Sequence, residues 1–513
     1  MCEASKPFLG IISGERRRGH AAVADRASRI AGGLKRLGVG PGGSVSILMR
    51  NDIAFIEVAH GAMRLGAYGV PVNWHFKTEE INYILKDSGT SVLIGHADLL
   101  HQLTIAVPKD VTVLSVPTPP EIVTAYKIAP NHLTKPDFAR DFETWIAEQP
   151  PYEGPSVPQP MNMIYTSGTT GHPKGVRRAA PTAEQNAALE DIRTIIYGLG
   201  SRALLPGPLY HSAPNSFGIR SSRLGGVLVL MPRFEPEEFL RLIEAEQIDT
   251  AFVVPTMFIR LMKLPESVRK KYDLASLRHV IHGAAPCPPE VKRAMIDWWG
   301  PIIYEFYGST EAGAVTFATS DDALKKPSTV GRVSAWAELR IVDADGQVLP
   351  TGEIGEIYSR VAAYPDFTYH NKPGKRVEIE CDGFITSGDV GYIDADGYVF
   401  LCDRKQDMVI SGGVNIYPAE VEAVLHGVPG VHDCAVFGIP DAEFGEALMA
   451  VVEPHPGTIL NVIDIRARLK ASLADYKVPA HIKLQTDLPR EDSGKIFKRR
   501  LRDTYWERAG RKI

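Results

Sequence analysis

Residues 166–175 read "TSGTTGHPKG". Gly168 and Gly171 permit backbone angles that side chains bar, so successive N–H groups can converge on an anion. Thr166, Ser167, Thr169 and Thr170 add hydroxyls, and Lys174 adds a positive charge. That inventory suits the phosphates of a nucleoside triphosphate. A Walker A loop is disfavoured: it opens a helix with Gly-Lys-Ser/Thr, whereas Lys174 stands three residues after Gly171 and "GVRRA" leads toward a second extended run. A plain Ser/Thr/Gly turn between strands is the competing reading, and ten ordered positions count against it.

Other residues carry chemistry of a matching kind. Glu311, in "YGSTEAG", is a carboxylate on a glycine-punctuated turn and suits a hard cation that keeps its waters and phosphate oxygens. The competing reading is a helix N-cap with an acid in the first turn. Asp389 in "TSGD" offers two acceptor oxygens to a pair of hydroxyls, and Arg404 can reach ribose or phosphate; otherwise the two form a surface ion pair of little worth. His211, in "PLYHSAPN", reads alone as a structural histidine. No HxxxH spacing or GxSxG elbow points to a metal-binding histidine pair or a nucleophilic triad.

The elements that must position these residues follow an α/β alternation. Val23, Ala27, Ile30, Leu34 and Leu37 keep helical spacing over 21–37, and "GVGPGG" stops them. "SVSILM" reads as a strand, 53–65 as a helix, "AYGVPVN" as a strand, "EEINYILKDSG" as a helix and "SVLIGH" as a strand, which implies a largely parallel sheet. The Pro-rich run "EQPPYEGPSVPQP" over 148–160 is a connector. "FEPEEFLRLIEAEQI", "DTAFVVP" and "LRHVIHGAAP" resume the alternation, and 330–393 becomes β-rich, with turns such as "DADG". A break falls near "CDRKQDMVISGG", followed by a small α/β set.

The chain has 513 residues and a formal net charge of −4, with basic residues spread along it, so nothing marks a nucleic-acid binder and small molecules are the expected partners. The five cysteines are widely spaced and lack CxxC pairing, which argues against a disulfide framework and a zinc site and fits a reducing compartment. No secretory signal pattern and no apolar run long enough to span a bilayer is present, so a soluble cytoplasmic protein is expected.

"YTSGTTGHPKG", "YEFYGSTEAG", "TSGDVGYIDADGYVFLCDRKQD", "SGGVNIYPAEVE" and "LPREDSGKIFKR" together resemble, in order and over most of the chain, the AMP-forming acyl-CoA synthetase superfamily of adenylate-forming enzymes. The resemblance implies an α/β fold: a large N-terminal domain (1–404) with a β-rich subdomain and a small mobile C-terminal α+β domain (405–513). It implies Mg²⁺ on Glu311, Thr310 near the α-phosphate, Tyr307 against adenine and Asp389 with Arg404 on ribose or phosphate. His211 becomes a gate at the carboxylate end of the acyl pocket. Gly412 and Gly413 line the pantetheine tunnel, Phe444 meets the CoA nucleotide, and Lys495 is the adenylation lysine. Small residues at Ser212, Ala213, Gly283, Ala284 and Gly308 hint at room for a long or bulky acyl chain. The rest of the basic run, Lys498, Arg499, Arg500 and Arg502, reads as a solvated face that could meet CoA phosphates.

Two departures stand out. The chain reaches its first helix directly through "GERRRGH", where relatives carry a longer segment, and Gln406 occupies a hinge position usually held by Asp or Lys. The expected activity is an acid–thiol ligase with ATP, Mg²⁺ and coenzyme A, acting on a fatty acid or else an aryl or cyclic acid. Loading of a carrier protein, a luciferase-like oxygenase and a nucleotide-binding sensor are the rivals, and a homodimer is compatible with all of them.

Overall fold

The computed structural model describes residues 8–103, 107–166, 173–405, 407–411, 414–441, 444–490 and 496–508. The chain divides into two compact units, one of Met1–Ala284, Trp298–Ala314 and Val361–Glu380, the other of Ala285–Asp297, Val315–Arg360 and Cys381–Ile513.

The first unit holds two parallel arrays. In one, Tyr68–Pro71, Ser44–Leu48, Thr90–His96, Thr112–Val116 and Arg140–Asp141 lie side by side in parallel register. In the other, Ile303–Ser309, His279–His282, Thr250–Val253, Arg202–Leu205, Val227–Leu230 and Gly10–Ser13 follow one another. Strands such as Val227–Leu230 are buried on both faces, which is why they read as unbroken apolar runs rather than alternating ones. Helices His20–Arg36, Ile53–Arg64 and Thr78–Asp87 match the periodic runs in the sequence. Arg16–Gly19 closes a hairpin on Gly10–Ser13 that the sequence reading did not contain; two four-residue strands, one of them rich in arginine, leave no periodic signal.

The expected β-rich stretch over 330–393 is interrupted. Phe367–Tyr369 pairs antiparallel with Lys174–Arg178, so residues 361–380 join the first unit. The second unit keeps Ala337–Val342, Gly355–Val361, Phe384–Ile393, Tyr398–Arg404 and Thr329–Val333 in consecutive order.

The end of the chain builds a five-stranded sheet with Gly445–Pro454 beside Val431–Asp441. Alternate residues of Val431–Asp441 face opposite ways: Cys434 and Val436 pack with Val421, Leu425, Ile465 and Leu469, while Ala435, Phe437 and Ile439 pack toward Leu501 and Tyr505. The helix Lys498–Arg508 covers a sheet face, which corrects the solvated reading for Lys498 and Arg502, whereas Arg499 and Arg500 are exposed as that reading had them. Lys498 pairs with Glu422 at 2.8 Å and Arg502 with Asp407 at 3.8 Å. Burial opposes the Lys498 charge, but the Glu422 and Asp403 carboxylates outweigh it and raise its pKa.

Candidate active site

Thr166 and Lys174 sit opposite each other in an antiparallel pair formed by Ile164–Thr166 and Lys174–Arg178. The glycine- and hydroxyl-rich loop thus joins two strands, and no helix follows it, as the sequence reading against a Walker A loop required. Ser167, Gly168, Thr169, Thr170 and Gly171 lie outside the described residues.

Glu311 meets this hairpin. It sits in the turn between Ile303–Ser309 and Gly313–Ala318, so the N-cap alternative does not apply. Its Oε1 accepts hydrogen bonds from Tyr369 Oη at 2.9 Å and Thr166 Oγ1 at 3.4 Å. The Lys174 ammonium lies 5.0 Å from the Tyr369 ring centroid. Burial and the nearby Lys375 charge lower the Lys174 pKa, while Glu311 acts to raise it. Burial first, then the Glu311 charge and hydrogen bond, push the Tyr369 hydroxyl upward, so it stays protonated and donates.

Two residues that sequence reasoning missed hold this arrangement. Tyr369 comes from a strand nearly two hundred residues beyond its partner. Arg178 is buried and donates to the carbonyls of Glu311, Thr310 and Pro365, with its guanidinium 5.2 Å from the Tyr364 ring centroid and 5.3 Å from that of Phe367. A buried arginine spent on backbone carbonyls fixes the path of the turn. The only signal was the alternation of "KGVRR", which puts Val176 and Arg178 on one face.

Thr310 Oγ1 donates to Ser212 Oγ at 3.1 Å, at the start of the helix Ser212–Ser221. His211 is that helix's N-cap residue, with its ring 4.4 Å from Tyr210. A cavity of about 250 Å³ opens beside Thr310, lined by Ser212, Ala213, Phe306 and Tyr364 among others. His211, Gly283, Ala284 and Gly308 do not line it. Gly308 serves backbone packing instead, since a Cβ there would fall 1.9 Å from the Gly313 carbonyl oxygen. Ala284 is exposed with a φ of 68°. Tyr307 is half-buried on the Ile303–Ser309 strand.

In the second unit, Asp389 and Arg404 face each other across paired strands, Nε to Oδ1 at 3.3 Å. Phe444 is 52% exposed, which excludes the core role that a lone phenylalanine usually has. Lys495, Gly412, Gly413 and Gln406 lie outside the described residues. His426, Asp433 and Cys434 come together, but Asp433 is paired with Arg490, and burial pushes the Cys434 thiol well up, so the cluster is a poor metal site. Among the described residues no helix is long and apolar enough to cross a membrane.

A sequence model of the family described as "AMP-binding enzyme" matches residues 4–363, and one described as "AMP-binding enzyme C-terminal domain" matches residues 420–495. A feruloyl-CoA synthase of Amycolatopsis sp is 34% identical, over 95% of this chain and 94% of its own. A long-chain-fatty-acid–CoA ligase of Mycobacterium tuberculosis is 32% identical, over 93% of this chain and 91% of its own. Among solved structures, an anthranilate CoA ligase in complex with anthranoyl-AMP matches with a TM-score of 0.85 at 25% identity, over 98% of this chain and 95% of its own.

Proposed function

The chain belongs to the AMP-binding enzyme family of adenylate-forming ligases, and from that premise we propose how it works as a carboxylic acid–CoA ligase. A carboxylate is a poor electrophile until one of its oxygens becomes part of a good leaving group. Attack of the substrate carboxylate on the α-phosphorus of ATP forms the acyl-adenylate and expels pyrophosphate. Attack of the CoA thiol on the acyl carbon then forms the thioester and expels AMP.

The observation that carries this reading is the Glu311 carboxylate, held by the Tyr369 hydroxyl and neighboured by that of Thr166 at the mouth of the phosphate hairpin. Magnesium fits this position: both hydroxyl contacts fall on Oε1, and a hard cation takes a carboxylate oxygen together with phosphate oxygens and water. When bound, it would offset charge on the triphosphate. Lys174 and the loop amides hold the phosphates, the Thr310 hydroxyl reaches the α-phosphate, and Tyr307 lies against adenine. Asp389 accepts from the ribose hydroxyls, with Arg404 beside it. Lys495 bridges the two anions that must join, and His211 stands at the carboxylate end of the acyl site. Gly412 and Gly413 leave space for pantetheine, and the exposed Phe444 ring is available to the CoA nucleotide.

The small domain begins after Arg404 and turns between the two half-reactions. The acid is a fatty or an aryl acid, and a cavity of about 250 Å³ favours a medium chain or a single ring over a very long chain. We assign the protein to the cytoplasm and leave a homodimer as the assembly to be tested.

Lys495→Ala tests the scheme. It should lose adenylate formation from acid and ATP yet still convert supplied acyl-adenylate to acyl-CoA, because the lysine serves only the joining of two anions. Equal loss of both half-reactions in a folded variant, with ATP binding retained, would overturn it. Transfer to a carrier protein in place of CoA would favour the second reading of the acceptor.

A further inference from the structure

The cavity beside Thr310 holds more positive charge than one substrate carboxylate needs. The helix Ala183–Tyr197 brings Glu190 and Arg193 to it, and the helix Ser212–Ser221 with the turn beyond brings Arg220 and Arg223. Arg220 is satisfied: it donates to Glu190 Oε1 at 2.7 Å, Thr194 Oγ1 at 2.9 Å and the Gly198 carbonyl at 3.2 Å. Glu190 is thereby used.

Arg193 and Arg223 have no such ion pair among the described residues. Arg223 donates only to neutral acceptors, Gln159 Oε1 and Met63 Sδ, each at 3.1 Å. The buried Nε of Arg193 has no hydrogen-bond partner among the described residues, and no carboxylate there pairs with either guanidinium. Desolvation and the adjacent Arg193 charge lower the Arg223 pKa, and the Glu190 charge acts against them. The two guanidinium groups repel each other, and the buried Arg193 Nε is costly to leave without a partner, while Arg223 is exposed at the cavity and Glu190 offsets its charge only in part. A planar carboxylate would relieve both penalties, since its two oxygens match the guanidinium fork.

We propose that Arg193 and Arg223 form a second anion-binding subsite at the end of the acyl cavity remote from Thr310, so that the preferred substrate is a dicarboxylic acid whose far carboxylate is held there. The inference rests on the ligase reading above. Ser212 marks the reacting end through its bond with Thr310, and Arg223 follows the far end of the same helix, whose Ser212–Ser221 span is roughly 14 Å at the α-helical rise. An extended chain advances roughly 1.2 Å per bond, so a diacid on the order of eight carbons spans this distance once arginine reach is allowed for. A terminal phosphate or sulfonate shares the chemistry, and a methyl-terminated chain of equal length lacks it.

The test compares octanedioic, octanoic and sulfonate-terminated octanoic acids in ATP-dependent pyrophosphate release. The diacid should exceed octanoic acid at least tenfold in kcat/KM, chiefly through KM, and Arg193→Met and Arg223→Met should each lower that ratio tenfold or more, with folding checked by thermal melting. A high rate with the sulfonate as well supports the subsite and broadens its anion. Octanoic acid equal to or better than the diacid, or a ratio unchanged in both variants, overturns it. Should no acid release pyrophosphate, the ligase reading fails on its own. Calorimetric binding of octanedioate then decides the subsite: tight binding lost in Arg193→Met upholds it, and binding that is absent or indifferent to the substitution overturns it.

Discussion

Tyr369→Phe removes one oxygen atom and leaves the rest of the site standing. The ring that neighbours Lys174 at 5.0 Å and Phe367 at 5.4 Å is kept, so packing is preserved. What goes is the 2.9 Å hydrogen bond to Glu311 Oε1. A hydrogen bond to a charged acceptor contributes about 1.5–3 kcal/mol net. The Thr166 hydroxyl, at 3.4 Å from the same oxygen, is too long to replace it. If the bond holds the carboxylate where metal and phosphate need it, kcat/KM for adenylation should fall by roughly ten- to a hundredfold, at about 1.4 kcal/mol per factor of ten. The magnesium concentration for half-maximal rate should rise in parallel, because the lost contact orients the ligand rather than the acid. Pyrophosphate release across a magnesium series measures both quantities. Unchanged values of each in a folded variant would refute the claim that Tyr369 positions Glu311, and would leave the contact as packing only.

Further expectations follow from other parts of the fold. Gly308→Ala should lower the melting temperature by several degrees or prevent folding, since the new methyl meets a backbone carbonyl rather than a yielding side chain; a normal melt would show that the two strands can separate. Lys498→Met should destabilise the C-terminal part by about 3 kcal/mol in denaturant unfolding, because Glu422 loses its cation partner while also accepting from the Val436 amide; no loss would mean that Glu422 simply takes up a proton. His60 is pushed down to about 3 by burial, then by Arg223 and His20, and so stays neutral in the fold. The unfolded chain binds the proton more readily, so this contribution is complete above pH 6.5 and is lost as pH falls from there toward 3. Thermal melts from pH 8 to 4 should therefore fall less steeply for His60→Gln than for the unaltered chain, and identical slopes would count against the buried neutral histidine.

The elements that were legible from sequence are those whose own residues decide them. Val23, Ala27, Ile30 and Leu34 sit buried at helical spacing in His20–Arg36, and the turn glycines beyond it end the pattern where the helix ends. Glu311 and Lys174 could be singled out from sequence because charged groups on a glycine-rich loop and turn have few structural uses, and the fold brings Glu311 to the hairpin that carries Lys174. Lys498 and Gly308 were misjudged for opposite reasons. A lysine in a basic run looks solvated until a carboxylate from another helix meets it, and a glycine beside a presumed pocket looks like space until the neighbouring strand's carbonyl occupies it.

Tyr369 and Arg178 show why the site could not be completed from local signals. Their strands pair only after the chain has passed through the intervening array, and a pairing at that separation is set by the assembled sheet rather than by either segment. Once Phe367–Tyr369 is laid beside Lys174–Arg178, a single register brings the two residues to the same turn from opposite strands. Tyr369 then reaches the Glu311 carboxylate and Arg178 reaches its backbone carbonyl. One holds the charge and the other holds the chain that carries it. Shifting Phe367–Tyr369 by one residue would turn Tyr369 to the other face and leave the carboxylate without its tyrosine, while Arg178 stays fixed by the pairing of its own strand with Ile164–Thr166. The interruption of the β-rich stretch is therefore the step of folding that makes the phosphate hairpin and the acidic turn one site.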